Sequence, residues 1–286
     1  MRYEAPETLE RAAELLAAET GQACILAGGT DLLVQLKTEM IAPALVVDIK
    51  HAAETRAISE EGGGWRIGAA VTGAELKEHP KLKAQWPGVI EAANLIGSTQ
   101  VQGRASMGGN LCNASPAADS VPALVAAGAL ATVVGPKGRR DVPVEDIVVG
   151  VRKLSLAKGE IVASFLLPKR AAHAADAYLR FIPRTEMDIA VVGCGVNLAL
   201  DGKGTCTDAR VALGAVAERV LRVDAAAKAL IGTTVDEGAL ASLDAAARAA
   251  CRPIDDKRGT KEFRVKIAGV LARRAALIAL ERARKV

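Results

Sequence analysis

The stretch Ser106-Met-Gly-Gly-Asn-Leu-Cys-Asn-Ala-Ser-Pro-Ala-Ala-Asp119 ends a polar, glycine-rich run that begins at Ser98. A shorter stretch of similar character, Ala27-Gly-Gly-Thr-Asp31, directly follows a predicted buried strand. Glycines allow positive φ angles and let a ligand approach bare backbone N–H groups, and successive N–H groups in such turns form anion-binding concavities. A long stretch without helix or strand inside a compact domain is most often functional or disordered. Both loops are therefore candidates for a ligand site.

The side chains around the two glycine loops also suit a phosphate. Leu32 and the residues after it are predicted to form a helix, whose N-terminus attracts negative charge. Short polar side chains add donors, namely Thr30, Ser106, Asn110, Asn113 and Ser115. Two such loops in one domain would suit a ligand with two linked phosphates. Neither loop matches a dinucleotide-binding or P-loop pattern, so the residues alone leave phosphate binding and purely structural turns about equally open.

Outward from these loops, the chain reads as an α+β protein in two parts. Helices are predicted from Thr8 and over 84–96, and buried strands at 45–49, near 130–134, near 142–144 and at 160–167. After a connector at 168–176, the pattern predicts antiparallel strands at 178–182, 189–200 and 205–213. Helices are then expected at 223–231, 236–250 and 260–284. We predict a first domain at 1–173, with subdomains of about 1–55 and 56–173, and a second domain at 174–286.

Composition excludes several classes of protein. Half of the 286 residues are apolar and 24% are charged, which is a globular balance. No apolar run approaches the ~18 residues of a membrane span, and no secretory signal is visible. Aromatic residues are too few for a single-stranded nucleic-acid surface. Five dispersed cysteines and three histidines form no metal-binding spacing, and an odd number of cysteines favours reduced thiols in the cytoplasm. We find no catalytic acid–base pair, nucleophile or metal site.

Four segments together resemble one family. They are Ala27–Leu32, Gln102–Asp119, Arg184-Thr-Glu-Met-Asp-Ile-Ala190 and Arg258-Gly-Thr-Lys-Glu-Phe-Arg264. The chain resembles the FAD-binding medium subunits of molybdenum hydroxylases, the group of xanthine dehydrogenase, carbon monoxide dehydrogenase and 4-hydroxybenzoyl-CoA reductase. The likeness covers nearly the whole chain, and the second glycine loop is its most specific part.

The resemblance implies the two-subdomain FAD-binding fold of the PCMH or vanillyl-alcohol-oxidase type, followed by an α+β C-terminal domain of antiparallel strands packed on helices. It implies non-covalent FAD with its pyrophosphate between the two loops. Arg180 would lie near the flavin, Ile189 over the isoalloxazine face and Ala163 in the strand beside the ring. The implied contacts are Ala27, Gly28, Gly29, Thr30, Asp31, Leu32, Ser106, Gly108, Gly109, Asn110, Asn113, Ser115, Asp119, Ala163, Arg180 and Ile189.

The resemblance also implies an electron-transfer role within a larger oxidoreductase. The molybdenum cofactor would lie on a large subunit and [2Fe-2S] clusters on a small one, with the complex a dimer of heterotrimers in the cytoplasm. Electrons would pass from the clusters through FAD to NAD⁺, a quinone or another acceptor, because in such subunits the cofactor supplies the redox chemistry. The alternative is a stand-alone FAD oxidoreductase of the vanillyl-oxidase type, for which no substrate base or covalent flavin anchor is visible.

The chain departs from some members of this family. Carbon monoxide dehydrogenases have a tyrosine at the position of Ile189 and His-Ser or Gln-Ser in place of Thr30-Asp31, which favours the xanthine dehydrogenase and aryl-CoA reductase side. Met187 stands where xanthine dehydrogenases keep an acidic residue, which weakens the case for NAD⁺. The four-cysteine insertion of some hydroxybenzoyl-CoA reductases is missing, so no cluster is predicted on this chain.

Simpler roles are also expected for several of these side chains. Asp31 and Asp119 are each predicted to cap the helix that follows, which for Asp119 is compatible with ligand contact. Cys24 and Cys194 are predicted to be core residues, and Cys112 a small buried hydrophobe. The three histidines are expected on the solvated surface. The basic residues of 257–286 are predicted to form a solvated helix face, with docking to a partner as the alternative.

Overall fold

A small parallel sheet begins the chain. In the computed structural model, which describes residues 1–286, β1 (Arg2–Glu4) and β2 (Ala23–Leu26) both pair in parallel with β3 (Leu45–Asp48). Helix α1 (Leu9–Ala18) crosses between β1 and β2, and the Thr8 side chain caps it by accepting a hydrogen bond from the Arg11 N–H. A short helix, α2 (Leu32–Lys37), follows β2. Thus β2 delivers the first glycine loop to one end of this sheet.

The second sheet is antiparallel and has five strands. Its order is β4 (Ile58–Glu61), β5 (Gly64–Gly68), β10 (Ile161–Leu167), β6 (Leu130–Gly135) and β7 (Gly138–Pro143). A two-stranded hairpin, β8 (Val148–Gly150) and β9 (Lys153–Leu154), lies between β7 and β10 in the chain. The core formed by α1 and β3 continues into β6 and β10, so the two sheets share buried side chains.

Six helices connect β5 to β6. They are α3 (Gly73–Glu78), α4 (Pro80–Gln85), α5 (Pro87–Ala93), α6 (Thr99–Gln102), α7 (Met107–Cys112) and α8 (Ser120–Ala127). The single helix predicted over 84–96 is interrupted because Pro87 begins a new helix directly after Trp86. The run from Ser98, predicted to lack helix and strand, forms α6 and α7. That difference matters, because α7 supplies a helix N-terminus at the second glycine loop.

A four-stranded antiparallel sheet forms the rest of the molecule. Its order is β11 (Ala174–Phe181), β12 (Val192–Leu200), β13 (Cys206–Gly214) and β14 (Leu221–Arg222). The chain then forms α9 (Asp224–Lys228), α10 (Glu237–Ala250) and α11 (Lys261–Ala283). Helix α11 packs on β11 and β12, which α5 and α8 also contact. Residues 192–196 are buried in succession, so both faces of β12 are covered. The α+β class predicted from the sequence is confirmed.

The basic C-terminal segment is not simply a solvated face. The Arg264 side chain is almost fully buried and donates to the backbone oxygen of Val191 and to Asp256. Arg282 pairs with Glu91 on α5. The prediction of a solvated helix face is wrong for these two residues. The apolar stripe of α11 packs on β11 and β12, and this packing places Arg264 and Arg282 next to partners in the rest of the protein. No helix is both long and apolar enough to span a membrane.

Candidate functional site

The two glycine loops face each other across one cavity of about 350 Å³. The first loop enters it from β2 and the second from the N-terminus of α7. Apolar walls come from the first sheet, from β10 and from the β8–β9 hairpin, through residues that include Ile25, Ile161, Val162 and Leu154. The cavity therefore combines an apolar wall with exposed backbone at both loops, which is the usual character of a small-molecule site.

Close packing at Gly28 brings the two loops together. A Cβ atom on Gly28 would lie 1.9 Å from the carbonyl oxygen of Arg104, so no other residue fits there without moving the loops apart. Gly29 has φ of 78°, in the region that favours glycine. The Lys50 ammonium group donates to the carbonyl oxygen of Ala27 at 2.9 Å and holds the start of this loop against β3. Gly28 and Gly29 are thus required by the geometry of the loop itself.

The second loop begins a helix at the cavity. The Ser106 hydroxyl accepts a hydrogen bond from the Gly109 N–H at 3.2 Å and so caps α7. Gly108 packs against the Ala69 backbone, where a Cβ would approach the carbonyl oxygen to 2.4 Å. Gly109 differs, because a Cβ there would meet nothing closer than the Ser106 hydroxyl at 3.4 Å. Since Gly109 lines the cavity, a side chain at this position would project into space available to a ligand.

Eleven of the predicted contact residues line this one cavity. They are Ala27, Gly28, Gly29, Thr30, Asp31, Leu32, Ser106, Gly108, Gly109, Asn110 and Asn113. The other five, Ser115, Asp119, Ala163, Arg180 and Ile189, do not line it. The cavity therefore brings together both glycine loops, although they lie some eighty residues apart in the sequence.

Asp119 and Arg180 form a buried ion pair beside the cavity. The Arg180 guanidinium donates to the Asp119 carboxylate at 3.0 Å and to the carbonyl oxygen of Leu95 at 2.7 Å. Burial raises the pKa of Asp119 to about 6, and the charge of Arg180 limits that rise. Leu95 precedes Ile96, which lines the cavity. Arg180 thus touches the site only through its neighbours.

The remaining three predicted contacts lie in other surroundings. The Ser115 hydroxyl accepts a hydrogen bond from the Ala117 N–H. Ala163 is fully buried in β10, next to the cavity-lining Val162. Ile189 is 52% exposed in the loop before β12. Ile189 lies in the loop between β11 and β12 of the third sheet, whereas the cavity is lined by the first part of the chain. The local sequence therefore does not reveal that Ile189 lies outside the cavity wall.

Several further residues line the cavity although the sequence does not mark them. Cys24, predicted to be a core residue, is half-buried and lines it together with Cys112. Other parts of the cavity wall come from Ile49, Ala69, Ile96 and Ala105. These four residues are small or branched apolar side chains of the kind found in any protein core, so no local signal marks them. His79, expected in solvent, caps α4 by accepting a hydrogen bond from the Leu82 N–H and packs edge-on against Trp65.

The predicted capping roles of Asp31 and Asp119 are wrong, since neither side chain caps the following helix. Asn110 takes that role for α8, because its side-chain oxygen accepts from the Ser120 N–H at 3.0 Å and from the Ser120 hydroxyl at 2.8 Å. The second loop is thereby tied to α8. The Asp119 carboxylate instead forms an ion pair with the Arg180 guanidinium.

We expect Asn110→Ala to lower the free energy of unfolding by about 1 kcal/mol, the usual effect of losing a capping acceptor. Asn110→Asp keeps an acceptor oxygen and should recover most of that loss. Urea denaturation of the FAD-free protein measures both variants without a contribution from ligand binding. Equal stability of Asn110→Ala and wild type would contradict the capping role.

Comparison with known proteins places the chain among flavoprotein subunits. Residues 1–170 match the FAD binding domain in molybdopterin dehydrogenase, and residues 177–279 match the CO dehydrogenase flavoprotein C-terminal domain. The carbon monoxide dehydrogenase medium chain of Hydrogenophaga pseudoflava is 32% identical over 96% of this chain and 94% of its own length. A putative xanthine dehydrogenase FAD-binding subunit of Escherichia coli is 33% identical over 92% of this chain and 90% of its own.

The fold agrees with that similarity. The structure of carbon monoxide dehydrogenase from Hydrogenophaga pseudoflava matches with a TM-score of 0.93 and 33% identity, covering 99% of this chain and 98% of that one. Quinoline 2-oxidoreductase from Pseudomonas putida matches with a TM-score of 0.90 and 29% identity over the same shares. Because the identities to the carbon monoxide and xanthine relatives differ by one percentage point, they do not separate the two subgroups.

Proposed function

Because the chain belongs to the FAD-binding medium subunits of the molybdenum hydroxylases, we propose that it conducts electrons from the [2Fe-2S] clusters of a small partner subunit to NAD⁺, a quinone or another acceptor. FAD supplies the exchange of electrons when it is bound. The chain is an oxidoreductase subunit, and its own residues bind and orient that cofactor. The observation that carries the proposal is the single cavity bounded by both glycine loops.

The residues of this cavity fit FAD. Gly109 lines the cavity in the first turn of α7 and leaves open the space that a Cβ would occupy. Gly28 and Gly108 allow the loops and the Ala69 backbone to approach closely enough to form a narrow cradle. Glycine-rich turns with bare backbone form concavities that suit an anion, and we therefore assign the pyrophosphate to the cavity between these two loops. The apolar walls would take a planar ring.

The same family membership supports a multi-subunit assembly. Relatives are named a medium chain of carbon monoxide dehydrogenase and FAD-binding subunits of xanthine and nicotinate dehydrogenases. We propose that a large molybdenum-cofactor subunit and a small [2Fe-2S] subunit bind this chain, in a dimer of heterotrimers in the cytoplasm. We also propose a domain boundary between residues 173 and 174, where the third sheet begins.

The proposed electron path can be tested by mixing proteins under anaerobic conditions. The FAD-loaded chain is combined with the separately purified and pre-reduced [2Fe-2S] subunit, and the flavin absorbance bands are followed. We expect the bands to bleach, and to return when the physiological acceptor is added. NAD⁺ and a water-soluble quinone are compared as acceptors.

Two results would contradict the proposal. One is a chain that retains no FAD, whether alone or in complex with its partner subunits. The other is an FAD-loaded chain whose flavin bands do not respond to the reduced [2Fe-2S] subunit. Turnover of an organic substrate by the isolated chain would instead favour a stand-alone oxidoreductase.

A further inference from the structure

The charge of the cavity is unusual for a site that takes a diphosphate. Among the residues that line it, Asp31 is the one with a charged side chain, and no lysine, arginine or histidine is present. Backbone N–H groups and helix N-termini offer partial positive charge, but Asp31 opposes a dianion at the same place. A free cation near the mouth of the cavity would offset the charge of Asp31.

Arg152 is such a cation. It lies in the turn of the β8–β9 hairpin, two residues before the cavity-lining Leu154. Its backbone N–H donates to the carbonyl oxygen of Ala114 at 3.0 Å, and the preceding residue, Asn113, also lines the cavity. The hairpin turn is thus attached to the end of the second glycine loop, which fixes Arg152 at the edge of the site.

The conformation and contacts of Arg152 differ from those of Arg180. Its φ is 55°, in the left-handed region that non-glycine residues seldom adopt. The neighbouring Lys153 pairs with Gly150 across the hairpin. The Arg152 guanidinium forms neither an ion pair nor a hydrogen bond, whereas Arg180 is held by Asp119 and Leu95. Arg152 is therefore free to bind an anionic ligand.

The charge of Arg152 also reaches the first glycine loop. Partial burial at the cavity edge raises the pKa of Asp31, and the Arg152 guanidinium opposes that rise through space. Arg152 and Asp31 make no direct ion pair, so their charges interact only through space. An anion bound between the loops would lie in the field of both side chains.

We propose that Arg152 is a cationic side chain that binds the phosphates of FAD, and that Asp31 opposes it. This inference rests on the cofactor assigned above and adds a residue that the glycine loops alone do not provide. Replacing Arg152 should weaken FAD binding, and replacing Asp31 by a neutral residue should strengthen it. Both effects should shrink as salt is added, because salt screens charges at an exposed cavity mouth.

Equilibrium binding of FAD to the FAD-free full-length chain, followed by the quenching of flavin fluorescence, tests this role. Arg152→Asn removes the charge with a residue that tolerates left-handed φ. We expect it to raise Kd roughly tenfold or more at low salt, in the range of a lost charge-assisted hydrogen bond. Arg152→Lys should retain most of the affinity. Lys153→Asn, the matched control in the same turn, should leave it unchanged. Asp31→Asn should lower Kd.

Riboflavin, which has no phosphate, is the second probe. Arg152→Asn should leave riboflavin binding unchanged while it weakens FAD binding, and thermal melting of each variant checks that the fold is intact. Equal FAD affinity and equal salt dependence in wild type and Arg152→Asn would overturn the inference and leave the FAD site standing. A wild-type chain that binds neither flavin would overturn the proposed cofactor site together with this inference.

Discussion

Replacing Gly109 by phenylalanine is expected to abolish retention of FAD while leaving the fold intact. Gly109 has ordinary helical backbone geometry in α7, and a Cβ there would meet nothing closer than the Ser106 hydroxyl at 3.4 Å. The new ring would therefore occupy the cavity rather than displace protein atoms. We expect the affinity for FAD to fall by at least ~100-fold, which corresponds to about 2.7 kcal/mol.

Gly103→Phe is the matched control for this variant. Gly103 lies in the same segment, is exposed, and has nothing within 4 Å of a Cβ position. FAD content after gel filtration and the rise in melting temperature on adding FAD measure both variants. Gly103→Phe should behave as wild type. Full FAD content in Gly109→Phe would show that the cofactor does not lie against α7, and the assignment of the cavity would then fail.

The contrast between Gly109 and Gly28 shows what the sequence can predict about this site. Both belong to Gly-Gly pairs that suggest a ligand loop, and both line the cavity. Only Gly109 faces open space, whereas Gly28 is required by the close approach of the Arg104 carbonyl oxygen. Local sequence identifies the loops, but it does not distinguish a glycine that makes room for a ligand from one that lets two segments of the protein touch.

The elements that the sequence predicted well are those defined by local periodicity. Helix α1 with its Thr8 cap, β3, β10 and the antiparallel set beginning at β11 all follow from regular apolar spacing and turn residues. The errors concern side chains whose partner lies far away in the chain. Asp119 was predicted to cap a helix, but its carboxylate accepts a hydrogen bond from Arg180, which lies sixty-one residues later in the chain. No local pattern contains that information.

The Asp119–Arg180 pair supplies the second large expected effect, on stability. Arg180 is on β11, whereas Asp119 and Leu95 precede the third sheet, so the guanidinium joins the flavin-binding part to the C-terminal sheet. Its side chain is 4% exposed. Breaking a buried ion pair from one side typically costs about 3–5 kcal/mol, because the other charge is left unpaired. We expect a loss of that size for Arg180→Leu at pH 8.

The loss should depend on pH. Burial raises the pKa of Asp119 to about 6 from its ordinary value of 3.8. A carboxyl group with a raised pKa contributes stability that is fully present below about pH 3.8 and is lost as the pH rises through about 6. Removing Arg180 removes the charge that lowers this pKa, so the protonated form is favoured further. Arg180→Leu should therefore be much less destabilising at pH 5, where Asp119 is mostly protonated, than at pH 8.

Urea denaturation of wild type, Arg180→Leu and two further variants at pH 5 and pH 8 tests this expectation. Arg11→Leu breaks an exposed pair with Glu14 on α1 and should change stability by no more than about 0.5 kcal/mol at either pH. Adding Asp119→Asn to Arg180→Leu removes the unpaired carboxylate and should recover stability at pH 8 but not at pH 5. If Arg180→Leu is equally destabilising at both pH values and the second substitution recovers nothing, the cost arises from lost packing of the arginine and not from an unpaired Asp119.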